Sequence, residues 1–483
     1  MRGGAGGVGG AGAYGGIAGR SGRGGAGGAG GVGVHLDAGA ALVVGASMSV
    51  LGGAGGLGGA GAGGESAGAA GLGGAGITAS NATITLAGTV AGGLSAAGVR
   101  ANAITFSGTN NRLELLSGYT IDGNVQGAGA TTLALGGSVA SSFDMSQMNG
   151  TGTQFNGIST LSKEGSGTLT LSGTSSPTNA IAWSVSGGTL DLNGTSQSTT
   201  GLTLTDGTLT NGTLSGTITS NNAAISDLRG TAALNVVGNG SITTISGTNT
   251  YTGVTSVLDW RTTLRATSAN AFSAASEITV GDSATLDLGG FAQKIDSVVL
   301  EQFSSLKDGS LSGAILAKGA DITNLSGDAT LTVEGGGTTS FHGSNTYTGA
   351  TVLQNSGAIF LSQDNVLSAD SETTIHDGAY LDFGDTKQTI NKINLAGDCC
   401  GGACSPVRPS QLAAEYGIFP VQRRSRPCPA RRCSETTAIA ERRLSQAERS
   451  RPTGIMRSVK QARPRSAPAA RSTSVATRRS STA

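Results

Sequence analysis

The sequence predicts an all-β chain folded as a parallel β-helix, a solenoid of short stacked strands, with a glycine-rich segment before it and a basic tail after it. Three observations carry this expectation. A five-residue phrase, Asn-Thr-Tyr-Thr-Gly, occurs at Asn249 to Gly253 and again 96 residues later at Asn345 to Gly349. The first copy is followed by Glu277-Ile278-Thr279, Leu286-Asp287-Leu288 and Ile295, the second by Glu372-Thr373-Thr374, Leu381-Asp382-Phe383 and Ile390, so the pair marks a long structural repeat. The composition, with 83 glycines in 483 residues, 4% aromatic and 13% charged residues, supplies too few bulky side chains for a layered core. Stacking many thin, similar layers is the remaining way to bury enough apolar surface. Finally, short period-two runs bounded by Gly, Asn, Asp or Ser recur without helical periodicity.

Residues 1–76 hold 34 glycines, mostly in Gly-Gly-Ala and Gly-Gly-Val units. Such a run has little to bury and a high entropy cost of ordering, so its default expectation is a flexible low-complexity segment. One feature points the other way: Val34 to Val44 resembles the stretch from Ile77 to Leu86, displaced by 43 residues, which predicts irregular solenoid rungs among the glycines. The start, Met1-Arg2 followed by glycines, carries no signal-peptide pattern, and Ala40 to Leu51 is too short to span a bilayer.

From residue 77 to 397 the alternation is steady, as in Thr83-Ile84-Thr85-Leu86, Thr168-Leu169-Thr170-Leu171, Thr189-Leu190-Asp191-Leu192 and Thr330-Leu331-Thr332-Val333. The apolar member is expected inside and the Thr, Ser or Asp outside. A sandwich or barrel would use longer strands, more aromatic residues and hairpin turns without a long repeat. With rungs of about 20 to 25 residues this region forms about 14 rungs, a rod on the order of 65 Å at ~4.8 Å per rung.

At Asp398 the composition breaks. Residues 398–483 carry eight of the nine prolines, all five cysteines (Cys399, Cys400, Cys404, Cys428 and Cys433) and no alternating strand. Before that point 14 basic residues face 25 acidic ones; after it 17 face 5. The tail is expected to be disordered, and its Arg, Pro, Ala and Ser mixture is what a GC-rich gene read in a shifted frame would give. Its cysteine spacings fit no regular zinc module, and its arginines lack the interleaved aromatics of a specific nucleic-acid site.

Residues 161–397 resemble the passenger-associated repeats of bacterial autotransporters. The matching pieces are Leu161 to Gly173, Gly187 to Leu192, both Asn-Thr-Tyr-Thr-Gly phrases and Leu286 to Gly290, giving repeats near 161–195, 246–300 and 342–395. Residues 103–125 also resemble passengers of the glycine-rich kind, so about two thirds of the chain is covered. The resemblance implies a right-handed β-helix presented at the cell surface or secreted, and carried across the outer membrane by a translocating β-barrel. It implies adhesion or another surface interaction, with host surfaces or polysaccharide as partners. A carbohydrate-active enzyme on the same scaffold and a nonfunctional fragment of a disrupted gene are the alternatives.

Chemistry-bearing motifs are sparse. Asn249, Tyr251 and Gly253, with Asn345, Tyr347 and Gly349, read as repeat turns: Asn and Gly accept positive φ and Tyr packs over a strand edge. His35, His342 and His376 stand apart from any cluster with metal-ligand spacing. The Gly-x-Gly-x-x-Gly matches neither follow a strand nor open a helix, and no Gly-x-Ser-x-Gly elbow is present. Asp191, Asp287 and Asp382 recur in mid-strand and are read as polar exterior instead of paired catalytic carboxylates. No catalytic residue, cofactor or metal is therefore expected.

Overall fold

In the computed structural model the described residues are 1–396, apart from 16–19, 176 and 336, together with the backbone of the short strand Gln422–Arg423. The expectations for the tail, its disorder, cysteines and frame shift, lie outside them.

The described chain is all-β, with parallel strands stacked into a β-helix of about 15 turns. Its only helical pieces among the described residues are two single 3₁₀ turns, Met145–Gln147 and Pro177–Asn179. Val34–Leu36, Ala41–Val44 and Ser49–Leu51 form three sides of a first turn. Each pairs with its counterpart in Ile77–Ser80, Thr83–Leu86 and Thr89–Ala91 of the next. The register places Val34 opposite Ile77, the 43-residue displacement read in the sequence. From Ile181 onward two long columns dominate, and a shorter third side closes each turn, as where Ser196 to Ser198 pairs with Thr213 to Ser215.

The alternation places side chains as expected. Thr83–Leu86 and Thr330–Val333 bury every second residue, and Leu202, Ile218 and Leu234 stack in register at 1% exposure or less. Each such apolar side chain contributes roughly 1.5–3 kcal/mol of burial. Threonine breaks the rule at Thr255, Thr351 and Thr373, which take the inward positions in line with Leu234, Leu331 and Thr351.

Turn length is less uniform than the expected 20 to 25 residues. Leu202 pairs with Ile218, and Ile315 with Leu331, only 16 residues on. Thr255 pairs with Ile278, Ile278 with Val298, Val298 with Ile315, Ile315 with Leu331, and Leu331 with Thr351. The 96-residue repeat is thus a block of five turns of unequal length, which no single rung period could reveal.

The glycine-rich start is ordered, contrary to its default expectation. Five segments, 3–13, 22–33, 51–60, 66–76 and 91–96, lie side by side and are tied by backbone hydrogen bonds at every third residue. Gly3, Gly6, Gly9 and Gly12 donate to Leu51, Ala54, Leu57 and Ala60. Gly22, Gly25, Gly28 and Gly31 donate to Ala13, Gly10, Gly7 and Gly4, an antiparallel pairing. A three-residue period with no bonds inside a segment is the signature of polyproline-II geometry, in which every backbone group must find its partner elsewhere. Glycine is required because neighbouring backbones touch: a Cβ on Gly6 would lie 2.0 Å from the Gly28 oxygen, and one on Gly56 2.0 Å from that of Gly7. The third residue of each unit points outward, leaving Val8, Tyr14, Leu57 and Leu72 exposed. This sheaf is continuous with the first turns through Gly33, Gly52 and Gly76, which donate to Ala75, Ala91 and Asn102.

Candidate functional site

The twin phrases lie between strands, on the third side of their turns. Asn249 joins three turns: its Oδ1 accepts the Leu228 N–H at 2.8 Å, while its Nδ2 donates to the Ser246 oxygen at 2.8 Å and the Ala271 oxygen at 2.7 Å. Tyr251 is fully buried, with its hydroxyl 2.9 Å from Thr255 Oγ1, which is in turn 2.9 Å from Ser276 Oγ. Ser276 completes the chain by donating to the Gly253 oxygen at 2.8 Å. This network explains inward Thr255, and its second copy Thr351, because a buried phenol needs a hydroxyl partner; the Thr373 hydroxyl has none.

The second copy repeats the arrangement atom for atom. Asn345 holds Leu325, His342 and Val366; Tyr347 meets Thr351, Thr351 meets Ser371, and Ser371 donates to the Gly349 oxygen. Two details differ from the sequence expectation. Neither Asn249 and Gly253 nor Asn345 and Gly349 has positive φ, and the tyrosines fill the interior instead of covering a strand edge. The left-handed positions belong to neighbouring turn residues such as Asp227 and Asn324. Gly253 and Gly349 are set by close approach, since a Cβ would lie 2.2 Å from the Ala232 oxygen and 2.1 Å from that of Ala329.

The recurring aspartates act as turn caps. Oδ1 of Asp191, Asp287 and Asp382 accepts the N–H two residues on, from Asn193, Gly289 and Gly384, at 2.7, 2.9 and 3.0 Å. Asp287 lies on the outer face, in line with Arg265 and Lys307, yet is only 4% exposed because those side chains cover it: its other oxygen meets Arg265 Nε at 2.9 Å and Lys307 Nζ at 3.4 Å. Six residues after each aspartate stands a glutamine, Gln197, Gln293 and Gln388, a signal the sequence reading passed over. Each glutamine bridges the preceding turn: Oε1 accepts the N–H of Ser175, Phe272 and Leu367, and Nε2 donates to the oxygens of Gly173, Ser268 and Gln363.

Earlier in the chain Arg112 grips Glu164 with two bonds of 3.0 and 2.8 Å. Burial alone would raise the Glu164 pKa, but these bonds, with one from Ser162, hold it below the usual carboxylate range. Lys163 is buried and donates to the oxygens of Glu164, Gly165 and Gly187; desolvation lowers its pKa, opposed by the charge of Glu164. Arg112 thus reaches across the strand Ala130–Leu135 to the second turn on, while Lys163 ties its own turn to the next at Gly187.

The histidines remain apart. His35 meets Thr78 Oγ1 at 2.8 Å, His342 lies 3.7 Å from Asp321, and His376 is exposed at a turn closed by the Ala379 N–H. Among the described residues no three His, Cys, Asp or Glu side chains come together as a metal site would require.

One corner departs from the repeat. The glutamine bonds make Ser175 the counterpart of Phe272 and Leu367, each only 2% exposed and filling its corner. Serine cannot fill it, and the loop from Gly173 is two residues shorter than that from Ser268. A pocket of about 160 Å³ opens there, its lining including apolar Met145, Met148 and Trp183 together with polar Ser146, Thr174 and Asn179. Both 3₁₀ turns border it. Trp183 is 3% exposed and its Nε1–H has no hydrogen-bond partner.

No known protein family, curated protein or solved structure matches this chain.

Proposed function

We propose that the chain is a non-catalytic passenger of the autotransporter kind, displayed at the cell surface or secreted, whose work is adhesion to host surfaces or polysaccharide. The observation that carries this reading is how the repeated polar residues are used. Asn249, Tyr251 and Asp287, and their counterparts Asn345, Tyr347 and Asp382, bond turn to turn or cap turns. The repeat therefore maintains a rod. The rod's outer face carries columns such as Thr203, Thr219, Asn235, Ser256 and Thr279, held in register by the strands beneath. An ordered array of short hydroxyl and amide side chains suits a large hydrated partner contacted at many weak points.

The test is display. Residues 1–396, which keep the glycine sheaf with the turns it is bonded to, are fused to a working export signal and outer-membrane barrel in a non-adherent bacterium. Cells bearing the fusion are expected to bind host cells or polysaccharide-coated surfaces, or to aggregate, above cells bearing the barrel alone. Display at full level with no gain in any of these would sink the adhesive reading, and purified chain that cleaves polysaccharide would replace it with the enzymatic one.

A further inference from the structure

We propose that the corner pocket beside Ser175 is a binding site for one neutral sugar ring, such as the terminal residue of a glycan. This gives the adhesive reading a ligand class and rests on that reading for its biological sense. The binding itself is a property of the pocket.

At equivalent corners the scaffold places Phe272 and Leu367, with N–H groups on Gln293 and Gln388 at 3.3 and 3.2 Å. At Ser175 the same bond to Gln197 is kept at 3.3 Å, so the backbone frame persists while serine stands where the other corners carry Phe272 and Leu367. The gap opens to the surface beside exposed Ser146 and Thr174, where a ligand can enter it.

The lining then limits the occupant. Its volume, about 160 Å³, is comparable to the ~150 Å³ cavity that takes one six-membered ring. No lining residue is charged, so an anion or cation would be desolvated without compensation. Met145, Met148 and Trp183 offer apolar and aromatic surface to the C–H face of a ring, while Ser146, Thr174 and Asn179 offer hydroxyl and amide groups to its rim. A purely apolar guest would leave the polar side unpaired. Ser175 is already fixed by donating to the Ser198 oxygen at 3.3 Å and accepting the Ser198 N–H at 2.7 Å, so that wall is rigid before any ligand enters.

The chain has two tryptophans, Trp183 and the exposed Trp260. In full-length Trp260→Phe protein, fluorescence reports on Trp183 alone. Titration with the methyl glycosides of glucose, galactose, mannose and N-acetylglucosamine is expected to give a saturable change with at least one, at a Kd of about 1 mM as befits a single small ring. Ser175→Phe, which restores the filler found at Phe272, is expected to weaken that binding by at least tenfold with thermal unfolding unchanged or raised. Trp183→Phe, followed by calorimetry, is expected to weaken it about fivefold through loss of indole contact area. No response to any of the four glycosides, or equal binding by folded Ser175→Phe protein, overturns the proposal. A displayed chain that adheres while no sugar perturbs Trp183 overturns the pocket and leaves the adhesive reading standing. A chain that binds sugar through Trp183 but never adheres does the reverse.

Discussion

Burial pushes the phenols of Tyr251 and Tyr347 up to about 12, against the smaller opposing effect of their Thr and Ser hydrogen bonds. The phenol is neutral when protonated, and its folded pKa lies above its unfolded one near 10. The stability it contributes is therefore complete below pH 10 and is lost as pH climbs to about 12, by roughly 3 kcal/mol per tyrosine. Urea unfolding between pH 8 and 12 is expected to show this loss in the native protein and a shallower one in Tyr251→Phe/Tyr347→Phe. Identical slopes would mean that the two rings do not govern alkaline unfolding. Their recurrence was legible in the sequence, but their inward placement was not. That depends on Thr255 and Thr351 taking core positions in the next strand, where alternation read alone places an apolar residue.

At the scale of elements, the strands were legible and the glycine segments were not. Thr-Leu-Thr-Leu alternation survives because each strand encodes its own inward face. A Gly-Gly-Ala unit encodes nothing locally; its order resides in bonds to segments tens of residues away, such as Gly56 to Gly28 and Gly6 to Ala54. Composition sees the entropy cost and misses the compensating bonds. The contact is close enough to test with one methyl group. Gly56→Ala would place a Cβ 2.0 Å from the Gly7 oxygen, forcing the segments apart. It is expected to abolish slow amide exchange across 3–33 and 51–76 while sparing the strands after Ile181. Gly10→Ala, where a Cβ meets nothing within 4 Å, is expected to leave exchange unchanged, so equal effects from both would refute the sheaf. The candidate pocket was hidden for a related reason. Ser175 reads as an ordinary loop residue until Gln197, Gln293 and Gln388 align it with Phe272 and Leu367.

Across the whole molecule the turns contact their neighbours and little else, so stability is nearly a sum of terms for each turn and its adjoining faces. Asn249 and Asn345 stand five turns apart, about 24 Å at ~4.8 Å per turn. Replacing either by alanine leaves an N–H and two carbonyl groups in adjoining turns without their partner, at a cost of roughly 2–4 kcal/mol. Measured as local opening by hydrogen exchange, the two losses are expected to add within about 0.5 kcal/mol, as for independent sites. Asn249→Ala with Ser273→Ala is a different case. Ser273 donates to the Tyr251 oxygen at 2.6 Å, two residues from Asn249 and in the same corner. These two losses are expected to fall short of additive, because the first already loosens the frame the second acts on. Strong coupling between Asn249 and Asn345 would show that the rod opens as one cooperative block, with the 96-residue repeat, rather than the single turn, as its unit of stability.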